Sequence, residues 1–320
     1  MDKEAVNKEI IHVGVSACVV GDKVRFDGGH KKSGYVSNYL GETFHLVPVC
    51  PEVGMGMPVP RPAIRIIEDE GQEKLVDSKD SAIDHTSALN RFYDTKSPQF
   101  AKLDGYIFCA KSPTCGVERI KVYTSEGDVL HRKGMGLFSK RLKEQYPLLP
   151  IEEDGRLNDL GLRESFVTKV YVHHHFRNEV MNNPSMGALV KFHSKHKFLV
   201  MAYSPKAYQQ LGRLVATGKK VQFDTLMKEY LGLLLGVLSK PTNRKKHTNV
   251  LMHLQGFLKK QLSKEDKQEL SDQIERYRLG YIPLMAPITL LQHHLKHHPN
   301  EYLSSQVYLE PYPESLGIRA

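Results

Sequence analysis

Cysteine is scarce in this chain: four in 320 residues, Cys18, Cys50, Cys109 and Cys115, widely scattered and with no C-x-x-C pair. That excludes the disulfide framework of a small secreted protein. The missing close pairs also make a structural zinc site the less attractive metal reading. No apolar run approaches the roughly 18 residues that a membrane-spanning helix needs. The opening residues Met1, Asp2, Lys3 and Glu4 are charged and mixed, unlike a signal peptide. A cytoplasmic protein with no membrane partner is expected, its thiols reduced and serving as core residues, nucleophiles or metal ligands. Internal repeats and low-complexity tracts are absent as well.

What is present is ordinary for a folded protein: 40% hydrophobic and 25% charged residues. The length exceeds the usual domain size of roughly 100 to 200 residues, so two domains are expected. Charge divides the chain unevenly. From Pro184 to Ala320 there are 20 Lys and Arg against 10 Asp and Glu, whereas residues 1–183 carry 25 against 26. All the positive excess sits in the second part, which points to a polyanionic partner there, because cations facing phosphates release counterions on binding.

Residues 10–17 (I-I-H-V-G-V-S-A), 43–49 (T-F-H-L-V-P-V) and 105–109 (G-Y-I-F-C) are short β-rich apolar runs that read as buried parallel strands. Helix-compatible stretches such as Ala82 to Phe100 lie between them. Beyond about Lys140 the period turns helical, with Phe138, Leu142 and Tyr146 four apart and a later stripe of Leu226, Tyr230, Leu233 and Val237. Ser263 with Asp266 three residues on resembles a capping box that opens a helix presenting Leu270, Ile274 and Tyr277. The expected architecture is an α/β N-terminal domain, a mostly parallel sheet flanked by helices, over residues 1–176. A linker at 177–185 (R-N-E-V-M-N-N-P-S) and an all-α C-terminal domain at 186–320 follow.

Three cysteines close or follow the predicted strands: Cys18 after H-V-G-V-S-A, Cys50 after H-L-V-P-V, and Cys115 six residues past Cys109. In open α/β sheets ligands bind beyond the carboxyl ends of strands, so these thiols are expected to converge. Their neighbours are turn-forming and polar (C-P-E-V-G-M-G-M-P, K-S-P-T-C-G), which suits ligation or chemistry better than packing. A three-thiolate iron-sulfur cluster tolerates such wide spacing, although spacing alone does not establish one.

The ordered set S-A-C-V-V-G-D-K-V-R-F-D-G (16–28), V-C-P-E-V (49–53), P-R-P-A (60–63) and K-S-P-T-C-G (111–116) resembles the TudS-like thiouracil desulfidases over roughly the first 150 residues. That resemblance implies a 4Fe-4S cluster held by three cysteines, Cys18, Cys50 and Cys115, with one open iron. It implies Glu52 and Ser112 as the groups that handle protons and position substrate. Ser16, Arg25 and Asp27 are candidates to line the substrate pocket, Arg25 and Asp27 alternatively pairing with each other. Cys109 stands where the pattern has an aliphatic strand residue and is read as a core thiol. Thr114 replaces a commoner serine, and G-M-G a pair of adjacent glycines.

The second part, with L-V-K-F-H-S-K-H-K (189–197), K-K-H-T-N-V-L-M-H-L-Q-G (245–256), P-L-M-A-P-I-T-L-L-Q-H-H-L (283–295) and Q-V-Y-L-E-P-Y-P (306–313), resembles the YbgA-like domain. A TudS-like domain fused to it resembles the RudS desulfidases, whose implied substrate is 4-thiouridine in tRNA. Lys195, Lys197, Arg244, Lys245 and Lys246 are then candidates for phosphate contact, with Lys259 and Lys260 beside them. Pairs such as His193 with His196 and His293 with His297, and the triplet His173 to His175, are read as structural histidines. The expected partner is tRNA or a thiolated pyrimidine, with no obligate protein partner. Two other readings stay open: salvage of free thiouracil, and a non-enzymatic RNA-binding protein whose cluster is structural or redox-sensing.

Overall fold

Among the described residues, strands are confined to the first half of the chain, and the second half is helical. The computed structural model describes residues 10–218 and 222–318, and these divide into two units between Asp159 and Leu160. No described helix is long and apolar enough to cross a membrane.

From β1 (His12–Ser16) the chain turns through α1 (Ala17–Val20) and a helical stretch at Tyr35–Leu40 that runs into α2 (Gly41–Thr43). Next come β2 (His45–Val49), α3 (Pro51–Gly54), β3 (Ile64–Asp69), β4 (Gln72–Asp77) and α4 (Thr86–Phe100). The unit closes with β5 (Gly105–Phe108), β6 (Ile120–Tyr123), β7 (Val129–Gly134), α5 (Leu137–Gln145) and β8 (Ile151–Glu153). The first sheet has the order β2-β1-β5-β8 and is parallel throughout. Its central strands are buried along most of their length, through Val13, Val15, Tyr106, Ile107 and Phe108, which is why they read as continuous apolar runs. Gly14 admits the Tyr106 ring: a Cβ there would lie 2.3 Å from it. Tyr93 and Phe100 of α4 and Phe138 of α5 pack their rings 5.5–5.7 Å from one another and reach the Tyr106 and Phe108 rings. The expected α/β architecture is present.

A second, mixed sheet of order β4-β3-β6-β7 was not expected from the sequence. Here β3 pairs antiparallel with β4 and parallel with β6.

The helical unit begins earlier than expected. Its first helix, α6 (Leu160–Phe176), runs without a break into a wider helical turn at Arg177–Met181. The expected domain limits of 1–176 and linker of 177–185 are therefore corrected. Phe176 packs on Phe192 (5.1 Å) and Tyr230 (5.9 Å) and Val180 is fully buried, so α6 and its extension belong to the helical core. Only Asn182 to Ser185 leaves the helix, where the Ser185 hydroxyl accepts from the Ala188 N–H (3.1 Å) and caps α7 (Met186–Tyr203). Then come α8 (Pro205–Thr217), α9 (Phe223–Leu238), α10 (Arg244–Leu258), α11 (Lys264–Leu279), α12 (Met285–His297) and α13 (Glu301–Ser304). Ser263 caps α11 through the Asp266 N–H (3.0 Å), and Leu270, Ile274 and Tyr277 are its buried positions. In α9 the buried stripe is Leu226, Tyr230, Leu231, Leu234, Leu235 and Leu238, which leaves Leu233 and Val237 at its margin.

Candidate active site

Because β1, β2 and β5 are parallel, their carboxyl ends deliver three loops to one side of the sheet. There they enclose a cavity of about 360 Å³. It is lined by Ser16 and Cys18 from the β1 end, Cys50 and Glu52 from the β2 end, and Cys109, Ser112 and Cys115 from the β5 end. Arg25, Lys31 and Arg61 complete the polar wall. Cys18 sits in α1, two residues past the end of β1. Cys50 is the N-cap of α3, with Pro51 at the first helical position, where its fixed φ suits the turn. Cys115 lies in a bend against which Gly136 is pressed, since a Cβ on Gly136 would fall 2.5 Å from the Thr114 backbone.

Asp27, expected in the pocket, is not among the lining residues. Its carboxylate accepts from the Gly29 N–H (2.9 Å) and pairs with Arg25 (3.5 Å), a local turn contact that holds it aside. Ser16 is buried, and its hydroxyl accepts from the Cys109 N–H at 2.9 Å. Cys109 is buried as a core thiol would be, yet it also lines the cavity. The hydrogen bond it shares with Cys18 pushes the Cys18 thiol up and its own down, and burial pushes Cys18 further. Burial also raises Cys50 and Cys115.

No three His, Cys, Asp or Glu among the described residues converge closely enough to hold a single metal ion. A cubane cluster asks for something different, because each thiolate binds its own iron and the ligands stand around the group rather than at one point. Three thiols from three loops lining one cavity fit that requirement.

Glu52 and Ser112 are linked by Thr114, which is fully buried. The Thr114 hydroxyl donates to Glu52 Oε1 (2.7 Å) and lies 2.8 Å from Ser112 Oγ. Ser112 Oγ already accepts from the N–H groups of Thr114 (3.2 Å) and Cys115 (3.1 Å), so its own proton points to Thr114. The proton order is thus Ser112 to Thr114 to Glu52. A Thr114→Val substitution removes the middle hydroxyl and is expected to lower kcat by on the order of 10- to 100-fold, the usual cost of deleting an outer hydrogen-bond partner. Thr114→Ser should restore it. Equal rates for the valine and serine variants would show that the hydroxyl chain is idle.

The other oxygen of Glu52, Oε2, accepts from Arg61 Nε (2.9 Å) and Nη2 (2.6 Å). Arg61 is only 7% exposed and also donates to the carbonyls of Val24 and Pro58. Arg61 is a functional residue that the P-R-P-A motif did not announce; the signal available was a lone arginine between prolines. Arg61→Leu strands a carboxylate that has little access to water. The expected loss is about 3–5 kcal/mol of stability, as when one partner of a buried ion pair is removed, read from urea unfolding. A loss under about 1 kcal/mol would mark the pair as no stronger than a surface one. Lys31 was also missed; it bonds the buried Asp154 (3.0 Å), whose Oδ1 accepts from the Ala110 N–H (2.8 Å).

In the helical unit Lys195 is engaged by Glu179 (3.0 Å), which compensates its charge. Lys197 Nζ lies 4.7 Å from the Tyr302 ring centre, and Arg244 stacks on Tyr277 at 5.8 Å. Lys245 is exposed and Lys246 half-buried. The histidines make local contacts: His193 Nδ1 with Tyr230 Oη (3.0 Å), His196 Nδ1 with the Phe192 carbonyl (2.8 Å), and His293 with His297 ring to ring (4.7 Å). Burial pushes His196 down to about 3.

Fold and cavity together define an α/β domain with a thiol-rich pocket, followed by a separate helical unit. Residues 13–154 match the family described as 2-thiouracil desulfurase. Residues 197–313 match one described as a protein of unknown function, DUF1722. The uncharacterized protein YbgA of Escherichia coli (strain K12) is 32% identical over 157 residues, 49% of this chain and 93% of that protein. The solved structure of the 4Fe-4S-dependent thiouracil desulfidase TudS is 26% identical and covers 47% of this chain and 94% of its own, with a TM-score of 0.38. The chain belongs to the family of YbgA, with a TudS-like domain fused ahead of the YbgA-like domain.

Proposed function

We propose that the chain is an iron-sulfur-dependent desulfidase that hydrolyses 4-thiouridine in tRNA to uridine and hydrosulfide. The observation that carries this reading is the gathering of Cys18, Cys50, Cys115, Glu52 and Ser112 around one cavity, inside a desulfurase-type domain. The net positive charge of the YbgA-like part supports a nucleic-acid substrate over a free base.

Cys18, Cys50 and Cys115 would hold the 4Fe-4S cluster, whose iron without a protein ligand supplies a Lewis acid for the thiocarbonyl sulfur when the cluster is bound. Glu52, held as a carboxylate by Arg61 and the Thr114 hydroxyl, acts as base: it takes a proton from water as the oxygen adds to the ring carbon. The C–S bond then breaks and sulfur leaves as hydrosulfide. Of the two water protons, one stays on sulfur and the other passes to solvent as the ring carbonyl forms. Ser112, at the cavity end of the hydroxyl chain, keeps proton exchange with Glu52 open through Thr114. Burial of Ser16 and Cys115 limits water around the reacting atoms.

The test is anaerobic reconstitution with iron and sulfide, then incubation with 4-thiouridine-containing tRNA and with free thiouracil, following hydrosulfide and loss of the thiolated base. Turnover of tRNA is the expected result. Turnover of free thiouracil alone would establish salvage in its place. If neither reacts with the cluster bound, the protein is an RNA-binding protein without this activity.

A further inference from the structure

The helical unit has a groove of about 350 Å³ between α7, α8 and α10 that the desulfidase chemistry does not use. Its walls are aromatic and apolar: Phe198, Met201, Pro205, Tyr208 and Phe257, the last 46% exposed. Between them stand Lys197, Gln209, Asn249 and His253. The side chains of Gln209, Asn249 and His253 make no hydrogen bond to any described residue, and no carboxylate lines the groove. Flat rings, free amide edges and a cation in a volume of this size suit a nucleobase with its phosphate, since rings stack on a base face and amides pair with base edges.

The charge around the groove says more about the ligand. Along α10 the groove residues Asn249, His253 and Phe257 share one face that Lys246 extends toward the N-terminus, and Lys260 follows in the turn two residues past the helix end. From Lys246 to the helix end at Leu258 is about 18 Å at 1.5 Å per residue, longer than one nucleotide needs but suited to the backbone of a strand. The part of the chain from Pro184 onward carries twice as many Lys and Arg as Asp and Glu.

We infer that this groove takes one unpaired, unstacked nucleotide of an RNA strand, stacked on Phe257 and Tyr208 with its flanking phosphates on Lys197, Lys246 and Lys260. The inference rests on the RNA reading of the proposed function, and it places recognition in single-stranded or loop regions rather than in duplex. A loop anchored here would hold the RNA on the helical unit independently of any thiolated base.

The test uses the full chain and fluorescein-labelled unmodified tRNA, with binding followed by anisotropy over a salt series. Phe257→Ala is expected to weaken binding about 5- to 150-fold, the range for losing one base–aromatic stack, with the salt slope unchanged. Lys197→Ala should instead lower the slope by about one. Asn249→Ala, at an exposed position, should weaken binding without disturbing the circular dichroism spectrum. A blunt RNA duplex without unpaired bases should bind more weakly than tRNA and be insensitive to Phe257→Ala. Wild-type affinity in both Phe257→Ala and Asn249→Ala, or equal binding of the duplex, would overturn the groove while leaving RNA binding intact. Displacement of tRNA by UMP at equal concentration would identify a free nucleotide as the occupant and overturn it too. Absence of any tRNA binding by the wild-type chain would sink both this inference and the reading it rests on.

Discussion

Cys115→Ala protein, reconstituted anaerobically beside the wild type, is expected to keep only a small fraction of the iron and acid-labile sulfide, and its sulfide release should fall to background. Cys115 is 4% exposed, in a bend fixed by the close approach of Gly136 to the Thr114 and Cys115 backbone. Thiolate ligation to iron is what makes assembly favourable, and deprotonating a thiol that burial has pushed up requires the metal to be there. Cys109→Ala is the informative companion. Cys109 lines the same cavity and hydrogen-bonds Cys18, but it lies outside the three-cysteine set that the family pattern implies. Its alanine variant should therefore retain iron near the wild-type level. Full iron in Cys115→Ala together with loss in Cys109→Ala would exchange their roles and redraw the ligand set.

How much of this was legible beforehand depends on the range over which each feature is encoded. The parallel sheet is written locally at its centre: Val13, Val15, Ile107 and Phe108 are buried on both faces, so β1 and β5 are short apolar runs leading into cysteine-bearing turns. The second sheet is not. Its hairpin reads R-I-I-E-D-E-G-Q-E-K-L-V-D, with charges alternating among the apolar residues and a turn of Glu70 and Gly71, both at positive φ. Two such residues are the mark of a tight hairpin, but Asn-Gly or Asp-Gly announces it more plainly than Glu-Gly does. Asn182, Asn183 and Pro184 do end a helix, but the polar residues before them continue α6 because Val180 is turned into the core. In the site, the positions of the thiols followed from strand order. The hydrogen bonds did not: Thr114 to Glu52 spans 62 residues and Arg61 to Glu52 nine, and neither separation has a local signature. Thr114, a mild departure from the family pattern in sequence, is in the structure the joint between the two candidate catalytic groups.

Glu52→Gln is the substitution that isolates the proton step. The amide keeps the shape, and its oxygen can still accept from Arg61, so far less folding free energy should be lost than in Arg61→Leu. Placing that oxygen on Arg61 turns the amide NH₂ toward Thr114, which must then accept from it rather than donate, and the Thr114 proton loses its carboxylate acceptor. The base is gone and the hydroxyl chain no longer ends on an acceptor. A kcat lower by about 10²- to 10⁴-fold is expected, the contribution of a positioned general base, with iron content unchanged because no thiol is touched. KM should move much less than kcat, since the carboxylate acts on water rather than anchoring the base. The loss should be the same for thiolated tRNA and for free thiouracil if both are turned over, because the step lies after binding. A Glu52→Gln enzyme with full iron and a kcat within about tenfold of wild type would place the base elsewhere in the cavity, with Lys31 the next side chain to test.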